Sequence, residues 1–167
     1  MNDWYVLHVK TGKEHDTKAA LCRDLPGVVH LVPERTLRER INGKWKEVSR
    51  ILFPGYVFIS AYLDTDLYYR LMAIPSVIRI LGTGKPDPVP LEEMQVILRL
   101  GNEGDPLGLS EVYRQGNMVY VISGPLVGLE GQIIKVDARR FRAKVNISLM
   151  GEPRIVELGI VDISKVD

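Results

Sequence analysis

The sequence predicts an α+β chain in two parts: an N-terminal α/β sandwich built on an antiparallel sheet, followed by a small β-barrel. Three observations carry this expectation. Strand-like and helix-like segments intermix up to Leu100. An Asn42-Gly43 dipeptide, which tolerates the positive φ of a type I′ hairpin turn, joins two long strand-like stretches. Beyond Gly116 only short strand patterns remain, punctuated by glycine and proline, with no helical period.

The elements follow in order. Trp4 to Val9 is an apolar, aromatic run suited to a buried strand, stopping at Lys10-Thr11-Gly12. Thr11-Gly12-Lys13-Glu14 has capping-box spacing, so a helix is expected to open there, with Leu21 and Leu25 facing the core and Pro26-Gly27 ending it. Val28 to Ile41 and Lys44 to Ala61 read as the two strand-like arms of the Asn42-Gly43 hairpin. Pro54, inside the second arm, cannot donate to a central ladder and predicts a bulge or edge that turns the flanking aromatics off the sheet. Asp64 to Ala73 reads as a second helix, Val77 to Leu81 as a strand and Leu91 to Leu100 as a third helix, with Glu92 and Glu93 at its positive end.

Leu100 to Gly116 is glycine-rich, carries Pro106 and has no sustained apolar period, which predicts a linker. The expected domains are therefore residues 1–101, a linker over 102–115, and residues 116–167. In the last, strands are expected over Met118 to Ser123, Gly131 to Val136, Ala143 to Met150 and Arg154 to Leu158, a density that points to an SH3-like barrel. Gly131, ahead of the alternating Ile133, Lys135 and Asp137, reads as a tight turn where a side chain would clash.

Composition bounds the function. At 167 residues with 46% hydrophobic side chains the chain suffices for a packed core. The N-terminus MNDWYVLHVK lacks the features of a signal peptide, and no run of about 18 apolar residues suggests a membrane span, so the protein is expected in the cytoplasm. A single cysteine, Cys22, excludes an internal disulfide framework or a Cys-rich metal site. The net charge of +1 does not announce a nucleic-acid binder, so any such site must be local. Catalysis is not expected. The three histidines, His8, His15 and His30, have no helical pairing as metal ligands, and neither a nucleophile elbow nor a phosphate-binding glycine loop occurs. No cofactor or metal is called for.

Two separated motifs resemble the NusG family over nearly the whole chain. Trp4-Tyr5-Val6-Leu7 with Thr11-Gly12-x-Glu14, joined to Leu52-Phe53-Pro54-Gly55-Tyr56-Val57-Phe58-Ile59, is similar to the family's N-terminal (NGN) domain. Val119-x-Val121-x-x-Gly124-Pro125-x-x-Gly128-x-x-Gly131 resembles the KOW motif of its C-terminal domain. The resemblance implies a non-catalytic transcription elongation factor that binds RNA polymerase as a monomer. It implies that an apolar depression formed by Trp4, His8, Phe53, Tyr56 and Phe58 receives the coiled coil of the β′ clamp. Trp4 and Phe53 read equally as core, whereas Tyr56 and Phe58 share a strand face and are the preferred contacts. Asp66, Leu67, Tyr68, Tyr69 and Arg70 match the segment that meets the β gate loop, with Leu67, Tyr68 and Tyr69 open to a core reading. Leu149 and Met150 match the loop that engages Rho or a ribosomal small-subunit protein, with Met150 in place of an aromatic.

Within the family, Lys10 to Glu14, the Arg38 to Trp45 hairpin and Leu52 to Ile59 look closer to the specialised paralogue LoaP, which prevents termination in long operons. The glycines and β-branched strands of the C-terminal part argue against the helical alternative state of RfaH. A LoaP-like factor implies recognition of a hairpin in the leader RNA. Two basic clusters are candidates: Arg35, Arg38, Arg40, Lys44, Lys46 and Arg50 in the hairpin, and Lys135, Arg139, Arg140, Arg142 and Lys144 near the end, with Trp45 and Phe141 as stacking surfaces. A solvated hairpin face is the plain alternative for either. A general NusG factor acting on pausing and on Rho termination, and a KOW-type RNA- or ribosome-binding protein without polymerase contact, are the competing readings.

Overall fold

The computed structural model describes residues 2–100 and 108–164. They fall into two compact units, one of residues 2–32 and 53–94, the other of residues 33–52, 95–100 and 108–164.

In the first unit, β1 (Asp3–Val9), β2 (Val29–Leu31), β5 (Tyr56–Ala61) and β6 (Val77–Ile80) form an antiparallel sheet of order β2-β5-β1-β6. The consecutive residues Val6 and Leu7, and Val57, Phe58 and Ile59, are all 0% exposed, so both faces of the central strands are covered. α1 (Glu14–Asp24) lies against β5 and β2, with Leu21 fully buried, and α2 (Thr65–Met72) lies against β6. The Asp64 carboxylate caps α2, accepting from the amide of Leu67 at 2.8 Å.

The capping box expected at Thr11 does not form. Gly12 has a φ of 90°, the helix begins after Lys13, and no side chain caps it. Glu14 is instead 2% exposed, and its carboxylate accepts from the amide of Gly55 at 2.8 Å, tying the start of α1 to the turn before β5. Replacing Glu14 by alanine strands that amide and is expected to cost about 1–3 kcal/mol, whereas Glu14→Gln keeps an acceptor. Urea denaturation of the two variants checks the difference.

The two long strand-like stretches are each interrupted. The first breaks at Val32 and Pro33, between β2 and β3 (Glu34–Ile41); the second at Leu52 to Gly55, between β4 (Lys44–Ile51) and β5. β3 and β4 pair with Arg40 opposite Trp45, and the turn has Asn42 at φ 52° and Gly43 at φ 77°, as the dipeptide predicted. This hairpin groups with the C-terminal part of the chain, and the boundary between units falls inside α3 (Leu91–Leu100).

The second unit contains a curled five-stranded sheet, an open barrel, of order β8-β7-β11-β10-β9. Its strands are β7 (Ser110–Gln115), β8 (Met118–Ser123), β9 (Ile133–Asp137), β10 (Arg142–Leu149) and β11 (Glu152–Asp162). β7 lies inside the expected linker, the rest of which, apart from 108 and 109, falls outside the described residues. Periodicity missed it because within Ser110–Gln115 Val112 is the one apolar side chain buried, and Ser110 takes the other buried place. β3 lies along β11, where the Arg35 guanidinium donates to the Glu157 carbonyl at 3.0 Å. Gly159 permits this approach, because a Cβ there would stand 2.4 Å from the Thr36 carbonyl oxygen.

Candidate functional site

In the first unit, the pairing of β1 with β5 sets Trp4, Val6 and His8 opposite Ser60, Phe58 and Tyr56, all on one sheet face. His8 and Tyr56 stack, with ring centroids 5.4 Å apart and planes at 27°, and both are half-buried. The Leu52 to Gly55 turn builds this end of the face. Gly55 has a φ of 89°, its carbonyl accepts from Val9 at 2.8 Å, and a Cβ there would lie 3.4 Å from the Thr11 hydroxyl. Pro54 occupies the exposed turn, and of its aromatic neighbours Phe53 is buried and Tyr56 half-buried. Phe53 is 4% exposed and packs on Phe58 at 6.0 Å, and Phe58 is 0% exposed.

Phe53 and Phe58 are therefore core, which corrects the expectation that Phe58 is a contact residue. Strand alternation placed it on the right face, but that face is covered over its middle row. Trp4 is half-buried at the far end, about 13 Å along the strand from His8. The structure brings His8 and Tyr56 together and leaves Trp4 apart. Glu14, which holds their turn, is the positioning residue that sequence reading missed, having been assigned to a helix cap.

On α2, Asp66 and Arg70 pair at 3.0 Å and Tyr69 is exposed, whereas Leu67 and Tyr68 are half-buried. At the β10–β11 turn, Met150 and Gly151 take positive φ of 53° and 78°, and Met150 is half-buried. Leu149 is fully buried and is core rather than partner loop. Gly131 is also reassigned. It lies exposed in a short 3-10 turn (Glu130–Gln132), has no positive φ, and nothing crowds the place of a Cβ.

In the second unit the two basic clusters meet. Phe141 touches Trp45 edge to face, with centroids 5.0 Å apart, and the Arg38 guanidinium lies 4.7 Å from the Phe141 ring centre. Around them the cations divide into two groups. Arg35 donates to the carbonyls of Glu157 and Ile51; Arg50 holds Glu39 at 2.7 Å; Arg142 pairs with Glu157 at 3.1 Å and reaches Glu39 at 3.8 Å; Arg38 pairs with Glu47 at 3.9 Å. Burial, and after it the neighbouring Arg142, lowers the pKa of Arg35 from its ordinary value, while hydrogen bonding from Arg50 holds the Glu39 carboxyl below its own. These side chains build the unit, and Arg35 and Arg142 in particular are structural where a role toward RNA was expected.

The second group is exposed and makes no ion pair among the described residues: Arg40, Lys44, Lys46, Lys135, Arg139, Arg140 and Lys144. Lys135 stands directly opposite Lys144 across β9 and β10. No group of three or more His, Cys, Asp or Glu side chains arranged to hold a metal occurs among the described residues, and no helix is long and apolar enough to cross a membrane.

Comparison with known proteins bears on the whole chain. Residues 2–98 match the family described as "Transcription termination factor nusG", and residues 115–147 match the KOW motif. The "Transcription termination/antitermination protein NusG" of Helicobacter pylori strain J99 is 28% identical over 99% of both chains. That of Haemophilus influenzae is 30% identical over 98% of this chain and 94% of its own. A solved structure titled "Domain interaction in Thermotoga maritima NusG" superposes with a TM-score of 0.59 at 26% identity, covering 95% of this chain and 94% of that one. With two motifs in order, an antiparallel sheet bearing helices, and a curled β-sheet later in the chain, the chain belongs to the NusG family of transcription termination/antitermination factors.

Proposed function

We propose that this protein rides on RNA polymerase and promotes processive antitermination after recruitment by a structured leader RNA, as a LoaP-like factor in the cytoplasm. The observation that carries the RNA part is the set of exposed cations without acidic partners around Trp45 and Phe141. Phosphates supply the missing counter-charge, and their neutralisation releases condensed counterions. The polymerase part rests on the stacked His8–Tyr56 pair as the clamp contact, with Asp66, Tyr69 and Arg70 of α2 toward the gate loop. Met150, at its tight turn, is the remaining candidate for Rho or a ribosomal protein.

Transcription in vitro through a terminator, with and without candidate leader RNA, tests the proposal: readthrough should depend on the leader. Leader-independent effects on pausing or Rho termination favour the general NusG role, a reading supported by the end-to-end similarity to relatives carrying that name. For the clamp contact, Tyr56→Ala is expected to weaken retention by purified polymerase about tenfold or more without lowering the melting temperature. Retention unchanged by Tyr56→Ala and His8→Ala together removes that surface from the proposal.

A further inference from the structure

We infer that the β3–β4 hairpin and the C-terminal sheet present one undivided RNA site, clasped by Phe141, in which an unpaired base of a stem-loop stacks on Trp45 while cations from both elements hold the flanking phosphates. This rests on the RNA reading above and specifies its geometry. The backbone at Phe141 supports it first. Phe141 lies in the left-handed region, at φ 56° and ψ 42°, which a bulky L-residue rarely adopts and which persists only where its surroundings enforce it. The bend follows the short 3-10 turn Ala138–Arg140, in which the Asp137 carboxylate accepts from the amide of Arg140 at 3.3 Å. It sends the ring between Arg38 and Trp45 while Arg139 and Arg140 stay exposed.

The distribution of surface follows from the clasp. Trp45 keeps 41% of its surface exposed after meeting Phe141, enough for a base to stack. Arg40, its cross-strand partner, comes from the hairpin, and Arg139 and Arg140 precede Phe141 in the turn between β9 and β10. Farther along the sheet, Lys144 stands between Lys135 on β9 and Glu157 on β11, and Glu157 is held by Arg142 at 3.1 Å, so the row keeps a net positive charge. Stacking needs an unpaired base, and a shallow array of cations suits the backbone of an A-form stem, so the chemistry selects a stem-loop over a blunt duplex.

The test uses the full chain, a labelled RNA stem-loop, the blunt duplex of the same stem, and fluorescence anisotropy at two salt concentrations. Arg40→Glu and Arg139→Glu are each expected to weaken stem-loop binding about tenfold and to lower the salt slope by about one unit per lost phosphate contact. Because Phe141 fixes the two elements to one another, loss of either cation displaces the same stretch of RNA backbone, and the double variant should lose less than the product of the single losses. Phe141→Gly suits the left-handed backbone, so the sheet stays folded, but it releases the clasp, and in that background the two losses should multiply. In a Trp4→Phe chain the emission of Trp45 should be quenched by the stem-loop and not by the duplex. Losses that multiply in the wild type overturn the clasp by Phe141, and losses that arise from one element alone overturn the undivided site; either leaves RNA binding intact. Equal binding of the duplex with Trp45 unquenched overturns the stacking. No binding of any structured RNA by the wild type removes the RNA reading itself.

Discussion

Phe58→Ala should unfold the N-terminal unit well below the melting temperature of the wild type. The side chain is 0% exposed, stands between Val6 and Leu31 in the sheet and packs against Phe53. Removing a buried aromatic costs about 3–5 kcal/mol through lost transfer energy and an unfilled cavity. Set against a total of roughly 5–15 kcal/mol for a domain, that is a large fraction, and it corresponds to a fall in melting temperature of about 15 °C or more. Calorimetry of the full chain checks it. The result separates two roles that look alike in a binding assay: Phe58→Ala should lose polymerase through loss of fold, Tyr56→Ala with the fold retained. A Phe58→Ala chain that melts like the wild type would show that the covered middle row of the sheet is not the core described here.

The second large effect is expected at Gly124 and not at Gly131, although both belong to the same motif. Gly124 has a φ of 96°, and a Cβ there would stand 2.5 Å from the Cα of Ser110 and 2.8 Å from the Leu109 carbonyl oxygen. Ser110 is itself held, 1% exposed, with its hydroxyl accepting from the amide of Leu126 at 3.0 Å. Gly124→Ala therefore combines left-handed strain with a clash against backbone that has no room to move, together about 2–5 kcal/mol. Gly131→Ala meets nothing within 4 Å, and in a helical turn it should be neutral or stabilise by up to about 1 kcal/mol by restricting the unfolded chain. Chemical denaturation of the two variants reads the contrast directly, and a Gly131→Ala chain less stable than Gly124→Ala would reverse the assignment.

Much of the fold was legible because it rests on local chemistry. The Asn42-Gly43 turn, the three helices and four of the five barrel strands follow from backbone preferences and from apolar periods that any short window displays. The capping box failed for a physical reason. A carboxylate three residues from a threonine has several amides within reach, and Glu14 found that of Gly55, 41 residues away along the chain. β7 was hidden because a strand buried through one valine and one serine shows no apolar alternation.

The candidate site divides along the same line. Residue type and order by themselves determined which motifs the chain carries, which family it resembles, and that catalysis was not to be expected. Tertiary structure alone decided which aromatic of Phe53, Tyr56 and Phe58 keeps an exposed surface, since strand alternation names a face and cannot say whether something covers it. It also decided which cations are neutralised. Arg35, Arg50 and Arg142 are spent on Glu39, Glu157 and backbone carbonyls, while Arg40, Arg139 and Arg140 keep their charge for a partner. A charge counts alike wherever it stands in the chain, but its availability depends on neighbours within about 4 Å, and those neighbours are set by long-range packing.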